Sequence, residues 1–328
     1  MGDPITYDRD LDFRSDVVYA GRTIDPSAGS VGYWWGKFYR LTMGTCSSST
    51  CLTDTWGVNV SGNRVPSEMV MQVTTNGTTK YLGPVTAGAT VTLDSTGNTW
   101  VFFGTGRFFS KSDKTDLRAQ YLLGVKDSVM RSGGCTQTDA VNCTNQNLLD
   151  VSTAQVCISC ASSTQVQNVS GVTTFSGLLD QIQGNSALSI TAKDGWVIEL
   201  QSGNSVNKLG GERSLVNPRL IGGALFFPTF VPSTDVCVAA GDSYLYAMYY
   251  LTGTGHTVPV MGTDANGMST RKVGLGQGLA SSVAIQIGSQ PTGMAGFYQS
   301  SNSTVNKVTP KPISSIWSQY MSWVSVRD

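Results

Sequence analysis

Short apolar runs recur along the chain and stop at Gly, Asn, Asp or Pro, many of them alternating in the two-residue period of a half-buried sheet. The pattern predicts strands at DVVYAG (16–21), GKFYRLTM (36–43), EMVMQVTT (68–75), ATVTLD (89–94) and NTWVFFGT (98–105). Further strands are expected at WVIELQ (196–201), LIGGALFFPTFV (220–231), SYLYAMYYL (243–251), SVAIQIG (282–288) and AGFYQSS (295–301). Turn signals such as TGN (96–98) and NG (76–77 and 266–267) fall between them. Two stretches break the pattern. Residues 111–134 carry a helix-like segment, LRAQYLLGVKDSVM, and residues 135–190 are polar and Cys-containing with one helix expected near FSGLLDQIQ (175–183). Together they read as an insertion at about 111–190 on an all-β body. Many short strands with aromatic punctuation suggest a propeller or a sandwich.

Composition agrees with strands and tight turns: 37 of 328 residues are Gly, and Ser, Thr, Val and Asn are frequent. The length suits one large all-β domain or two average ones. Net charge is zero and no basic cluster stands out, so neither nucleic acid nor an anionic membrane is an expected partner. No apolar run is long enough to span a membrane, and MGDPITYDRD lacks the marks of a signal peptide. The chain is therefore expected to be cytosolic, a mature product or a piece of something longer. The cysteines favour an oxidising compartment: Cys46 with Cys51, Cys135 with Cys143 and Cys157 with Cys160 form three local pairs in polar loops, leaving Cys237 over.

Little in the chain supports catalysis. The single histidine, His256, lies in a Gly-rich loop and has no acid three residues before it, so GDSY (241–244) reads as a turn entering a strand. One C-x-x-C, CISC at 157–160, lacks the second pair or histidines that zinc needs and reads as a structural disulfide. GLGQGL (274–279) and GTGR (104–107) lack dinucleotide-site spacing and read as turns. The tryptophans are expected to pack between sheets.

One stretch does carry chemistry. DRDLDFRSD (8–16) sets four aspartates at its first, third, fifth and ninth positions, in a chain with only 22 acidic residues. Like charges this close repel unless a cation joins them, and a hard cation such as Ca2+ takes six to eight oxygens. The expected ligands are Asp8, Asp10, Asp12 and Asp16 with the carbonyl of Arg14. The loop departs from an EF-hand: Phe13 stands where that loop has Gly, Tyr19 where it has Glu, and a strand follows instead of a helix.

Several segments taken together resemble PilY-type proteins, the type IV pilus biogenesis factors and tip adhesins with a PilC/PilY-type β-propeller domain. The acidic loop followed by VVYAG and GKFYRL carries the resemblance. So do VTAGATVTLDSTGNTWVFFGTGRFF (85–109), GERSLVNPRLIGGALFFPTFVP (211–232), SYLYAMYYLTG (243–253) and SSIWSQYMSWVSVRD (314–328). The resemblance implies that residues 1–328 are the C-terminal portion of a modified β-propeller of antiparallel blades. It also implies an extracellular, pilus-associated location reached through the periplasm, and a non-enzymatic, calcium-dependent role in pilus extension and retraction. Expected partners are pilins or minor pilins, and a second polypeptide or an N-terminal portion that completes the propeller. Two alternatives stay open: a quinoprotein-like propeller oxidoreductase, and a carbohydrate- or surface-binding adhesin module.

Overall fold

The computed structural model describes residues 1–9, 11–27, 31–43, 46–47, 50–51, 56–60, 63–127, 147–160, 164–235, 241–288 and 293–315. Four larger sheets follow one another along these residues. The first joins β1 (Ile5–Tyr7), β2 (Val17–Ile24), β3 (Trp35–Thr42) and β8 (Ser67–Val70). Small hairpins decorate it: β4 (Cys46–Ser47) with β5 (Thr50–Cys51), β6 (Val58–Val60) with β7 (Asn63–Val65), and β9 (Gln72–Thr75) with β10 (Thr78–Tyr81). The second sheet runs β11 (Thr90–Leu93), β12 (Thr99–Gly104), β13 (Tyr121–Lys126), β17 (Gly195–Glu199), and then β14 (Leu148–Asp150), which pairs with β17 in parallel. Between β14 and β17 come a short hairpin of β15 (Gln155–Val156) and β16 (Val166–Gln167) and helix α1 (Phe175–Gln183). The third sheet orders β18 (Arg219–Ile221), β19 (Ala224–Pro232), β20 (Gly241–Tyr249) and β21 (Lys272–Gln277). The fourth has β22 (Ala284–Ile287), β23 (Met294–Gln299) and β24 (Val305–Val308). Apart from the β14–β17 pair, the neighbours within these sheets are antiparallel.

The sheets stack face to face in chain order, and the two-residue period of the strands shows it. In β12, Trp100 and Phe102 enter a core shared with the third sheet, whereas Val101 and Phe103 enter a core shared with the first. In β19, Leu225 and Phe227 face the second sheet, while Ala224 and Phe226 face the fourth. A strand buried on both faces must be apolar at every position, which is why these segments read as continuous runs. The sheets also start side by side. The Gly88 N–H donates to Asn217 Oδ1 (2.7 Å), and the Ser282 hydroxyl donates to the Asn217 carbonyl (3.0 Å). Gly2 lies so close to Ala87 that a Cβ would sit 2.4 Å from its carbonyl oxygen. This is the arrangement of successive propeller blades.

Most expected strands and the helix at 175–183 are present. Its N-cap is Thr174, whose side chain accepts from the Gly177 N–H, and Phe175, Leu178 and Ile182 bury one face. Five expectations need correction. The helix expected around LRAQYLLGVKDSVM is β13 over 121–126, where both faces are buried and the apolar run serves a central strand; residues 128–134 lie outside the described ones. The excursion from the second sheet therefore begins at 127, after β13. LIGGALFFPTFV is a hairpin, because Gly222 and Gly223 (φ 55° and 77°) form the two-residue turn between β18 and β19. Residues 274–277 of GLGQGL extend β21, and GDSY lies within β20 rather than before it.

Candidate metal loop

The acidic stretch 8–16 is the connection between β1 and β2, whose register ends at Tyr7↔Val17. The Asp16 N–H donates to the Tyr7 carbonyl (3.0 Å) and the Met43 N–H donates to the Asp16 carbonyl (2.8 Å), tying the loop base to β1 and to the end of β3. Within the loop the carboxylates turn onto the main chain. Asp8 accepts the N–H groups of Leu11 (2.7 Å) and Phe13 (2.8 Å), Asp12 accepts that of Arg14 (2.8 Å), and Asp16 accepts that of Arg9 (2.7 Å).

Coiling the chain around Asp8 puts Leu11 and Phe13 in the left-handed region, at φ 61° and 68°. Phe13 thus adopts the backbone that the sixth position of a tight calcium loop requires, without the Gly that usually supplies it. Both side chains are expelled to solvent, Phe13 being 98% exposed. The donor set of carboxylates and carbonyls, with no His or Cys, fits a hard divalent cation. Asp10 lies outside the described residues. Among the described residues Asp8, Asp12 and Asp16 are not drawn into one cluster able to hold an ion.

The loop touches the next blade through Arg9, whose Nη2 donates to the Gly97 carbonyl (3.3 Å). Gly97 belongs to the turn between β11 and β12. There Asp94 accepts from the main chain of Thr96 and Asn98, from their side chains, and from Trp100 Nε1 (2.8 Å). Burial raises the Asp94 carboxyl's pKa, but the bonds from Asn98, Trp100 and Thr96 outweigh it and hold the group below its ordinary value. The same backbone turn recurs at Asp264–Met268 and Ser300–Thr304. In each, the first N–H donates to the fifth carbonyl, and the fourth N–H donates to the first carbonyl. Left-handed Gly97, Gly267 and Ser303 stand at the fourth position. Strand-by-strand reading missed this repeat; the signal was Asp followed three residues later by Gly, at 94–97 and 264–267.

Of the cysteines, Cys157 and Cys160 form a disulfide, as expected. Cys46 and Cys51 are cross-strand partners in the β4–β5 ladder. Cys135, Cys143 and Cys237 lie outside the described residues. His256 is no simple polar loop residue: it packs edge-on against Phe175 (4.9 Å between centroids) and Tyr249 (4.7 Å), and its burial lowers its pKa. Trp100 and Trp196 are fully buried between sheets, as packing residues should be.

No family model matches the chain. Two curated proteins of Xylella fastidiosa (strain Temecula1 / ATCC 700964), each named a type IV pilus biogenesis factor PilY1 homolog, match it at 26% identity. One alignment covers 174 residues, 53% of this chain and 10% of the relative; the other covers 160 residues, 48% and 11%. The matched stretch is thus about a tenth of the length of either relative. The crystal structure of the Pseudomonas aeruginosa PilY1 C-terminal domain superposes with a TM-score of 0.57 at 18% identity, covering 94% of this chain and 60% of that one.

Proposed function

We propose that this chain, PilY-type in sequence and in fold, works in the type IV pilus system as an exported, surface-located module whose first hairpin loop takes up Ca2+. The reading gives it no catalytic role. Asp8, Asp12 and Asp16, with Asp10 and the Arg14 carbonyl, would hold the ion, which supplies positive charge and nothing else. What carries the reading is the loop's position: its base is bonded to β1 and β3, and Arg9 reaches the Asp94 turn of the second blade. Neutralising the carboxylates would fix this junction and hold Leu11 and Phe13 outward as apolar contacts for a pilin or minor pilin. Such contact would make assembly, extension and retraction of the pilus, and adhesion through it, responsive to calcium.

We also propose that further blades come from an N-terminal portion of a longer protein or from a second polypeptide. On the outward face of the fourth sheet Val305 is 71% exposed, and exposed positions alternate with half-buried ones along β22 and β24.

The test is a thermal melt with calcium and with EGTA, beside pilus counts and retraction in an Asp8→Ala, Asp16→Ala strain. A higher Tm with calcium that the double variant loses, together with a retraction defect, is the expected outcome. Equal melting with and without chelator would reject the calcium reading.

A further inference from the structure

Three stretches of chain meet where β3 begins and enclose a cavity of about 210 Å³. Tyr33 and Trp34 lead into β3, Lys80 and Tyr81 end β10, and residues 118–120 lead into β13. The cavity thus lies between the first two sheets, at the opposite end of β3 from the acidic loop, whose base is bonded to Met43.

Tyr33, Trp34 and Tyr81 bring three aromatic rings to this wall, and each ring is held from outside the cavity's own floor. The Arg118 guanidinium lies 4.3 Å from the Tyr33 ring centre, that of Arg107 lies 4.1 Å from Trp34, and Tyr81 leans on Trp35 at 5.0 Å. The charges here are matched. Arg118 donates through Nε to Asp116 (2.8 Å) and through Nη1 to the Trp34 carbonyl (3.1 Å), and Lys80 pairs with Glu199 (3.0 Å). An ion entering the cavity would therefore have to break an existing pair.

One polar group on the wall is not matched. Gln120 is 5% exposed, and its Oε1 accepts from the Thr105 hydroxyl (2.9 Å), whose oxygen in turn takes the Tyr121 N–H (2.8 Å). Gly83 makes room for this amide, since a Cβ there would stand 2.0 Å from Gln120 Oε1. The amide nitrogen donates to nothing among the described residues, yet it is not sealed within the protein. Nearly buried amides normally satisfy their N–H groups, so an open one on a cavity wall is a place for a ligand oxygen.

We propose that this cavity binds one neutral hexopyranose residue. A pyranose ring has an apolar C–H face that stacks on an aromatic side chain and a rim of hydroxyls that needs a few placed polar groups. Tyr33, Trp34 and Tyr81 supply the first, and Gln120 Nε2 with Ser202 supplies the second. The paired cations select against an anionic ligand, and the small volume suits a single ring. The proposal does not rest on the calcium reading.

The test titrates the whole chain, in EGTA, with glucose, galactose, mannose and N-acetylglucosamine and with their methyl glycosides. Sorbitol serves as an acyclic polyol and inorganic phosphate as an anion. Binding is read by tryptophan fluorescence and saturation-transfer NMR. Saturable binding of at least one hexose, tenfold or more tighter than sorbitol or phosphate, is expected. A methyl glycoside binding as tightly as its free sugar identifies the end of a glycan chain, and tighter binding of the free sugar identifies a monosaccharide. Tyr33→Ala, a change at a half-buried ring, should keep the parent's Tm within a few degrees and weaken binding about tenfold. Gln120→Met should weaken it several-fold, and Leu188→Ala, in the excursion from the second sheet, should bind as the parent does. No saturable hexose binding, sorbitol or phosphate binding as tight as any hexose, or unaltered affinity in a folded Tyr33→Ala would each overturn the proposal.

Discussion

Arg213 offers the most direct measure of what holds the blades together. Its guanidinium is buried, at 3% exposure, and donates to four main-chain carbonyls. Nε reaches Gly211 (2.9 Å), Nη1 reaches Arg107 (2.8 Å) and Asp113 (2.7 Å), and Nη2 reaches Asp116 (3.1 Å). Three of these carbonyls lie on the connection from β12 to β13, so one side chain fastens that loop to the segment entering the third sheet. Burial lowers the arginine's pKa, and Asp116 and Asp113 act against that. Arg213→Met keeps the aliphatic stem and its volume but orphans the carbonyls. The bonds to Gly211 and Asp113 are fully buried, while the other two are partly open to water. At about 1–3 kcal/mol for each buried group left unmatched, the enclosed pair sets the loss at about 4 kcal/mol. Arg213→Lys, with one compact ammonium, should fall between the two. Urea unfolding reads the difference as a lower midpoint at an unchanged slope. A loss below about 1 kcal/mol for the Met variant, or a Lys variant as damaged as it, would refute this account of the junction.

Two further outcomes follow from the same structure. Trp100→Phe removes the indole bond to Asp94 while keeping an aromatic ring in the core; it should cost about 1–3 kcal/mol and speed amide exchange at Asn98, and unchanged exchange would count against the turn's dependence on that bond. His256 gives a pH dependence. Its folded pKa lies below the ordinary 6.5, so the unfolded chain takes up the proton first. This contribution to stability is complete above pH 6.5 and is lost as pH falls through the folded pKa. Melting between pH 7.5 and 5 should show the decline, and His256→Gln should flatten it; an equal slope in both would assign the effect elsewhere.

Most of the strand pattern, the Asn76-Gly77 hairpin turn and the capped helix were legible in the sequence because each is decided locally. Period-2 alternation, Asn76-Gly77 between Thr75 and Thr78, and Thr174 ahead of Phe175 need no distant neighbour. The crowding of aspartates at 8–16 is visible in the sequence for the same reason, and in the fold the described carboxylates bond to amides a few residues away. Where an outcome depended on burial from both sides, the sequence was ambiguous. YLLGVK suits a helix or a central strand equally, and only β12 and β17 on its flanks, with a sheet against each face, made it a strand. Contacts between distant residues were decided by the stacking of blades alone. Arg213 beneath the 107–116 loop, Arg9 on Gly97, and His256 between Phe175 and Tyr249 all join segments whose separation leaves no periodic trace. Local hydrogen bonding and side-chain alternation are written along the chain, whereas the partner of a buried charge is set by which sheet faces which.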